Sequence, residues 1–90
     1  MEPKVNILVV DDEEIVRDSL ASWLEEDGYE VEAAENGMKA LERLPLKEWS
    51  LALVDLKMPG MDGIQLMEEI KKTRPDLTVI IMTAYATVDT

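Results

Sequence analysis

The chain predicts an α/β fold, an open, doubly wound parallel sheet, from three observations. Four short runs rich in Val, Ile, Leu and Ala stand at residues 5–10, 29–34, 51–54 and 77–83. Between them, apolar residues recur at helical spacing. Three of the runs end in Asp or Thr, the polar stop expected where a strand reaches the edge of such a sheet. Strands alternating with helices favour parallel pairing with right-handed crossovers, because each helix must carry the chain back to the same starting edge.

Each element has its own warrant. Val5-Asn6-Ile7-Leu8-Val9-Val10 is a β-branched run that stops at Asp11-Asp12, as a buried strand does. From Glu13 to Glu26 the period changes: Ile15, Val16, Leu20, Trp23 and Leu24 mark one helical face, with Arg17, Asp18, Glu25 and Glu26 expected toward water, and Gly28 ends the helix. Residues 29–34 alternate apolar and acidic side chains, which suits a strand at a sheet edge. Asn36-Gly37 is a turn signal, followed by a short helical face of Met38, Ala40, Leu41 and Leu44 that Pro45 closes.

Leu51-Ala52-Leu53-Val54 reads as a strand buried on both faces, and Asp55 follows it immediately. A loop rich in Pro and Gly comes next. Asp62 with Gln65 three residues on has the spacing of a capping box, ahead of a helix carrying Ile64, Leu66, Met67 and Ile70 and closed by Arg74-Pro75. Residues 77–83 are apolar enough for a strand that is central or covered on both faces, and 84–90 could open a fourth helix.

Ninety residues, 47% hydrophobic and 32% charged, describe one soluble domain spanning 1–90. No apolar run reaches membrane-span length, and Met1-Glu2-Pro3-Lys4 lacks the features of a signal peptide, so a cytoplasmic location is expected. A net charge of -11 with only nine Lys and Arg argues against direct nucleic-acid binding. The absence of Cys and His excludes disulfides, thiolate or imidazole metal sites, Ser-His-Asp catalysis and histidine phosphotransfer within the chain. Carboxylates, hydroxyls and lysines remain.

Asp11 and Asp12 follow the first strand, Asp55 the third, and Thr83 ends the fourth. Taken singly, Asp55 fits a turn residue, Asp11 with Glu14 fits a capping box, and Thr83 fits a β-branched strand residue. In a parallel sheet these strand ends share one edge, where three carboxylates raise one another's pKa unless a cation neutralises them. Oxygen ligands alone suit a hard ion, and Mg²⁺ fits a site with few carboxylates that keeps waters and meets phosphate. Asp55, ionised at neutral pH, is then a nucleophile that needs no general base.

The ordered set of Asp11-Asp12, Asp55 with Met58-Pro59-Gly60-Met61-Asp62-Gly63, and Met82-Thr83-Ala84 resembles the receiver domain of bacterial two-component response regulators. The resemblance runs from Lys4 to the last residue. It implies a flavodoxin-like topology with strand order second, first, third, fourth, fifth. By the same resemblance Asp55 accepts a phosphoryl group from a partner histidine kinase. Mg²⁺ is held by Asp12 directly, by Asp11 mostly through water, by Asp55 and by the backbone carbonyl of Lys57. Thr83 is the switch hydroxyl that meets the phosphoryl oxygens. The ending Met82-Thr83-Ala84-Tyr85-Ala86-Thr87-Val88 is similar to receivers of nitrogen-regulation-type transcription activators, which implies an output domain acting in transcription.

Family members run on to a domain of about 120 residues, so the resemblance also implies a truncated chain of about four strands, lacking the fifth strand with its pocket Lys and the fifth helix. On that reading the fourth strand is an open edge and the first helix loses cover, which favours homo-oligomers or element exchange between chains. Two rival functions stay open. One is a receiver-fold interaction module that does not signal by phosphorylation. The other is a Mg²⁺-dependent phosphatase; such sites usually place a second carboxylate two residues after the nucleophile, where this chain has Lys57.

Overall fold

The computed structural model describes residues 5–83. Its elements run β1 (Asn6–Val10), α1 (Glu14–Glu26), β2 (Glu30–Ala34), α2 (Gly37–Arg43), a 3-10 turn (Leu44–Leu46), β3 (Leu51–Asp55), α3 (Gly63–Thr73) and β4 (Thr78–Met82). The possible helix in residues 84–90 lies outside the described residues. The four strands form one parallel sheet in the order β2-β1-β3-β4, the order expected for the flavodoxin-like arrangement.

The doubly wound fold follows from the two-residue period of the strands. Leu8, Val10, Ala52 and Val54 point to one face and are buried there with Ala40, Leu44, Leu66 and Ile70 of the α2 and α3 layer. Ile7 and Val9 point to the other face, where α1 packs against β1 and β2. The two layers are unequal. Leu66 and Ile70 of α3 are fully buried, whereas no residue of α1 is.

Caps fix where the helices start. Asp62 accepts from the Gln65 N–H at 2.9 Å while the Gln65 side chain accepts from the Asp62 N–H at 2.9 Å, the reciprocal pair that the sequence spacing predicts. Asn36 is not a simple turn residue; its side chain caps α2 by accepting from the Lys39 N–H at 2.8 Å. Pro45 does not stop the chain outright but continues it into the 3-10 turn, at whose first positions a missing N–H costs nothing. The carbonyls this leaves are collected by the Trp49 indole and the Arg74 guanidinium: Leu44 O accepts from both, at 3.1 and 2.7 Å.

The apolar run of β4 suggests a central or doubly covered strand and the resemblance an open edge; among the described residues it is an edge strand whose Ile80 is 46% exposed. The apolar stripe read along the first helix is only partly used: Val16, Leu20 and Leu24 are half-buried, but Ile15 and Trp23 are 80% and 67% exposed. Met38 likewise stands in solvent on α2. Periodicity marks an apolar face without saying how much of it a neighbour covers.

Gly63 fixes how α3 leaves the sheet. A Cβ there comes within 2.5 Å of the Asp55 carbonyl oxygen and 2.9 Å of the Leu56 Cα, and the Gly63 N–H donates to Leu56 O at 2.9 Å. Both obstacles are backbone, so nothing flexible can give way. Gly63→Ala is expected to cost about 1–3 kcal/mol, the range for forced overpacking, in urea unfolding. An unchanged midpoint shows that α3 can shift without disturbing β3.

Candidate functional site

Register brings the acidic groups together. β1 pairs with β3 so that Val10 lies beside Val54, and one residue further on Asp11 and Asp55 leave neighbouring strands on the same face. Asp12 follows at the mouth of the β1–α1 loop, exposed to solvent. One carboxylate oxygen from each of Asp11, Asp12 and Asp55 can be chosen so that all lie within 4.8 Å of one another. The expected convergence of these three residues is therefore observed.

Asp11 is the more constrained of the pair. It is 5% exposed, its N–H donates to Ala34 O at 3.1 Å, and its carboxylate accepts from the Glu13 N–H at 2.9 Å. That bond replaces the capping box considered for Asp11 and Glu14: α1 begins after Glu13, whose side chain makes no capping bond. Burial raises the pKa of Asp11, the Glu13 N–H opposes this, and the neighbouring Asp12 adds to it. Burial also raises the pKa of Asp55, and the charges of Asp11 and Asp12 push it further up, against a backbone hydrogen bond from Lys57 that lowers it.

Thr83, directly after β4, lines the same cavity as Asp11 and Asp55, with a volume of about 250 Å³. The ladder holds this end in place, since the Leu56 N–H donates to Met82 O at 2.8 Å. Lys57 is exposed, and it is its N–H that meets the Asp55 carboxylate. Glu13, Val16 and Met82 complete the cavity wall. Sequence reading missed them as site residues, although each is one or two residues from a strand end or the first turn of α1, where the topology places the opening. Arg17 is a correction. Expected toward water, it is half-buried and donates to the Asp11 carbonyl at 2.8 Å.

The donor set suits a small hard cation. It offers carboxylate oxygens alone, and the pKa values of the two inner carboxylates are raised, first by burial and then by the charge of their carboxylate neighbours. No helix among the described residues is long and apolar enough to cross a membrane.

A parallel sheet in this order, with a three-carboxylate pocket at its C-terminal edge, defines a class of acidic-pocket α/β domains. Residues 7–90 match the family model described as the response regulator receiver domain, and the chain belongs to that family, whose members serve in two-component systems. It is 46% identical over 91 residues to transcriptional regulatory protein ZraR of Klebsiella oxytoca, covering 97% of this chain and 20% of that protein. The chain thus spans about a fifth of that relative's length. Among solved structures it resembles response regulator protein TrrA from Thermotoga maritima in complex with Mg²⁺-BeF, with TM-score 0.85 and 41% identity over 91% of this chain and 71% of that one. A chain in the structure of histidine kinase ThkA in complex with TrrA matches with TM-score 0.85 and 40% identity, over 96% of this chain and 74% of that one.

The raised carboxylates have a sign that can be measured. Asp11 and Asp55 hold protons more tightly folded than unfolded, so without metal they cost stability at neutral pH. The cost is relieved as pH falls through their folded-state pKa values and is gone below the ordinary carboxylate value of about 4. Metal-free Asp55→Asn is expected to melt several degrees above the parent at pH 7, since about 1 kcal/mol moves a domain this size by roughly 4–8 °C. The gap should narrow as pH falls toward the ordinary carboxylate value of about 4. A variant that melts at or below the parent at pH 7 refutes the crowding of charge at this edge.

Proposed function

We propose that the chain is the phosphoacceptor module of a two-component system, with Asp55 receiving a phosphoryl group from the phosphohistidine of a partner kinase. The observation that carries this reading is the convergence of the Asp11, Asp12 and Asp55 carboxylates beside a cavity that Thr83 also lines. In the transfer an Asp55 carboxylate oxygen forms a bond to phosphorus as the phosphorus–nitrogen bond to the donor imidazole breaks. The electron pair leaves with the nitrogen, and the product is an acyl phosphate. A carboxylate attacks in its ionised form, so no base within the chain is required, which fits a sequence with no His.

Asp11, Asp12, Asp55 and the Lys57 carbonyl are the groups that would hold Mg²⁺. Mg²⁺, when bound, neutralises charge on phosphoryl oxygens and on the carboxylates around them. Thr83 is assigned the switch hydroxyl, a donor to the phosphoryl oxygen from the end of β4. The Mg²⁺-BeF complex of TrrA and the ThkA–TrrA complex support the ion and the kinase partner respectively. The likeness to a transcriptional regulatory protein supports an output in transcription and a place in the nitrogen-regulation-type subgroup. The chain is read as a switch, not a classical enzyme.

Incubation with phosphoramidate and Mg²⁺ should add one phosphoryl group by intact mass, stable in acid, labile in base and lost in Asp55→Asn. A base-stable adduct that survives in Asp55→Asn refutes the acceptor. Kinase binding without any adduct favours the non-phosphorylated interaction module.

Self-association is a further part of the proposal. Ile15 and Trp23 stand exposed on α1, and Ile80 on β4, the edge strand among the described residues, while the sheet face under α2 and α3 is well covered. Sedimentation should show dimers at high concentration that raised salt strengthens by screening the net charge of -11. A monomer under both conditions removes this part.

A further inference from the structure

Asp11 is held at its N–H by Ala34 O, at its carboxylate by the Glu13 N–H, and at its carbonyl by the Arg17 guanidinium at 2.8 Å. The third hold differs in kind. The first two are backbone donors or acceptors that the fold supplies, whereas the third is a charged side chain reaching back from the first turns of α1 to the end of β1. At this end of the helix both side-chain links run to Asp11: the Glu13 N–H bonds its carboxylate and Arg17 its carbonyl, while the N-cap residue Glu13 makes no side-chain capping bond and, among the described residues, none of α1 is fully buried. The carbonyl that Arg17 grips belongs to the peptide joining Asp11 to Asp12, so its orientation sets where the Asp12 carboxylate points relative to Asp11 and Asp55. A guanidinium suits that role because its fork of donors is rigid and stays charged at any working pH.

We infer that Arg17 is a positioning residue for the acidic pocket, fixing the Asp11–Asp12 peptide so that both carboxylates face Asp55. The inference rests on the phosphoacceptor reading and deepens it. Arg17 holds the Asp11 carbonyl and lines a neighbouring cavity with Asp12, outside the one that Asp55 and Thr83 line. Its positive charge also lowers the pKa of Asp11, offsetting part of the effect of burial.

The test compares the parent chain with Arg17→Met, Arg17→Gln and Arg17→Lys. Mg²⁺ affinity by calorimetric titration should fall about 10-fold or more in the Met variant, the usual loss when a group that orients a metal ligand is removed. The Lys variant, which keeps a charged donor, should recover most of it. Raising Mg²⁺ to saturation should restore the maximal rate of labelling by phosphoramidate in Arg17→Met. In the metal-free protein, amide exchange at Glu13 should quicken in Arg17→Met while that at Leu8 and Val9 stays unchanged.

A folded Arg17→Met that binds Mg²⁺ within twofold of the parent overturns the inference, as does a rate that saturating Mg²⁺ fails to restore. If Arg17→Met does not fold, Arg17→Gln is judged by the same criteria. If neither neutral variant folds, Arg17 is a structural strut and the inference falls. A parent that binds no Mg²⁺ refutes the reading of the pocket itself, a separate outcome.

Discussion

The pairing of β1 with β3 in parallel register is the constraint on which the rest depends. A parallel ladder runs neighbouring strands to the same edge, and the match of Val10 with Val54 leaves Asp11 and Asp55 emerging side by side. A slip of one residue in either strand would send one carboxylate to the opposite face, into the apolar layer under α3. That slip is opposed on both sides of the sheet at once, because Leu8, Val10, Ala52 and Val54 are fully buried on one face and Ile7 and Val9 on the other. The hydrophobic core therefore holds together two like charges that would otherwise separate.

The loop between β3 and α3 follows from the same constraint. Once β3 ends at Asp55 the chain must turn away without covering that side chain, and it does so through a close approach of Gly63 to the Asp55 carbonyl. The reciprocal Asp62–Gln65 cap then starts α3 at once, so the helix can bury Leu66 and Ile70 within its first turns. Stability of the α3 layer and openness of Asp55 are two results of one turn.

Much of this was legible because it rests on short-range chemistry. The strand runs, the capping box and the acidic strand ends each declare themselves within a few residues, and parallel topology alone brings the ends to one edge. What was not legible depends on tertiary cover and on backbone acceptors that carry no residue signature. Trp23 and Ile15 obey helical spacing as well as Leu66 and Ile70 do, yet the first pair is exposed and the second buried. Arg17 reads as a solvent-facing cation because its partner is a backbone carbonyl, and any residue type could carry that acceptor. Pro45 signals a stop, but Trp49 and Arg74 satisfy the carbonyls around it and let the chain run on as a 3-10 turn.

The unequal packing of the two faces bears on how such a site can report its state. Asp11 and Asp55 belong to the face covered by α1, the layer with the least buried surface, while the α2 and α3 layer behind them is closely packed. Elements with few buried contacts need the least free energy to move. The available links are specific: Arg17 ties α1 to the Asp11 carbonyl, and the Leu56 N–H ties the strand carrying Asp55 to β4 just before Thr83. On the proposed reading, a phosphoryl group on Asp55 would alter charge beside both links, and could favour a second arrangement only by as much as its contacts there exceed those in the first. The closely packed α2 and α3 layer keeps the carboxylates in register.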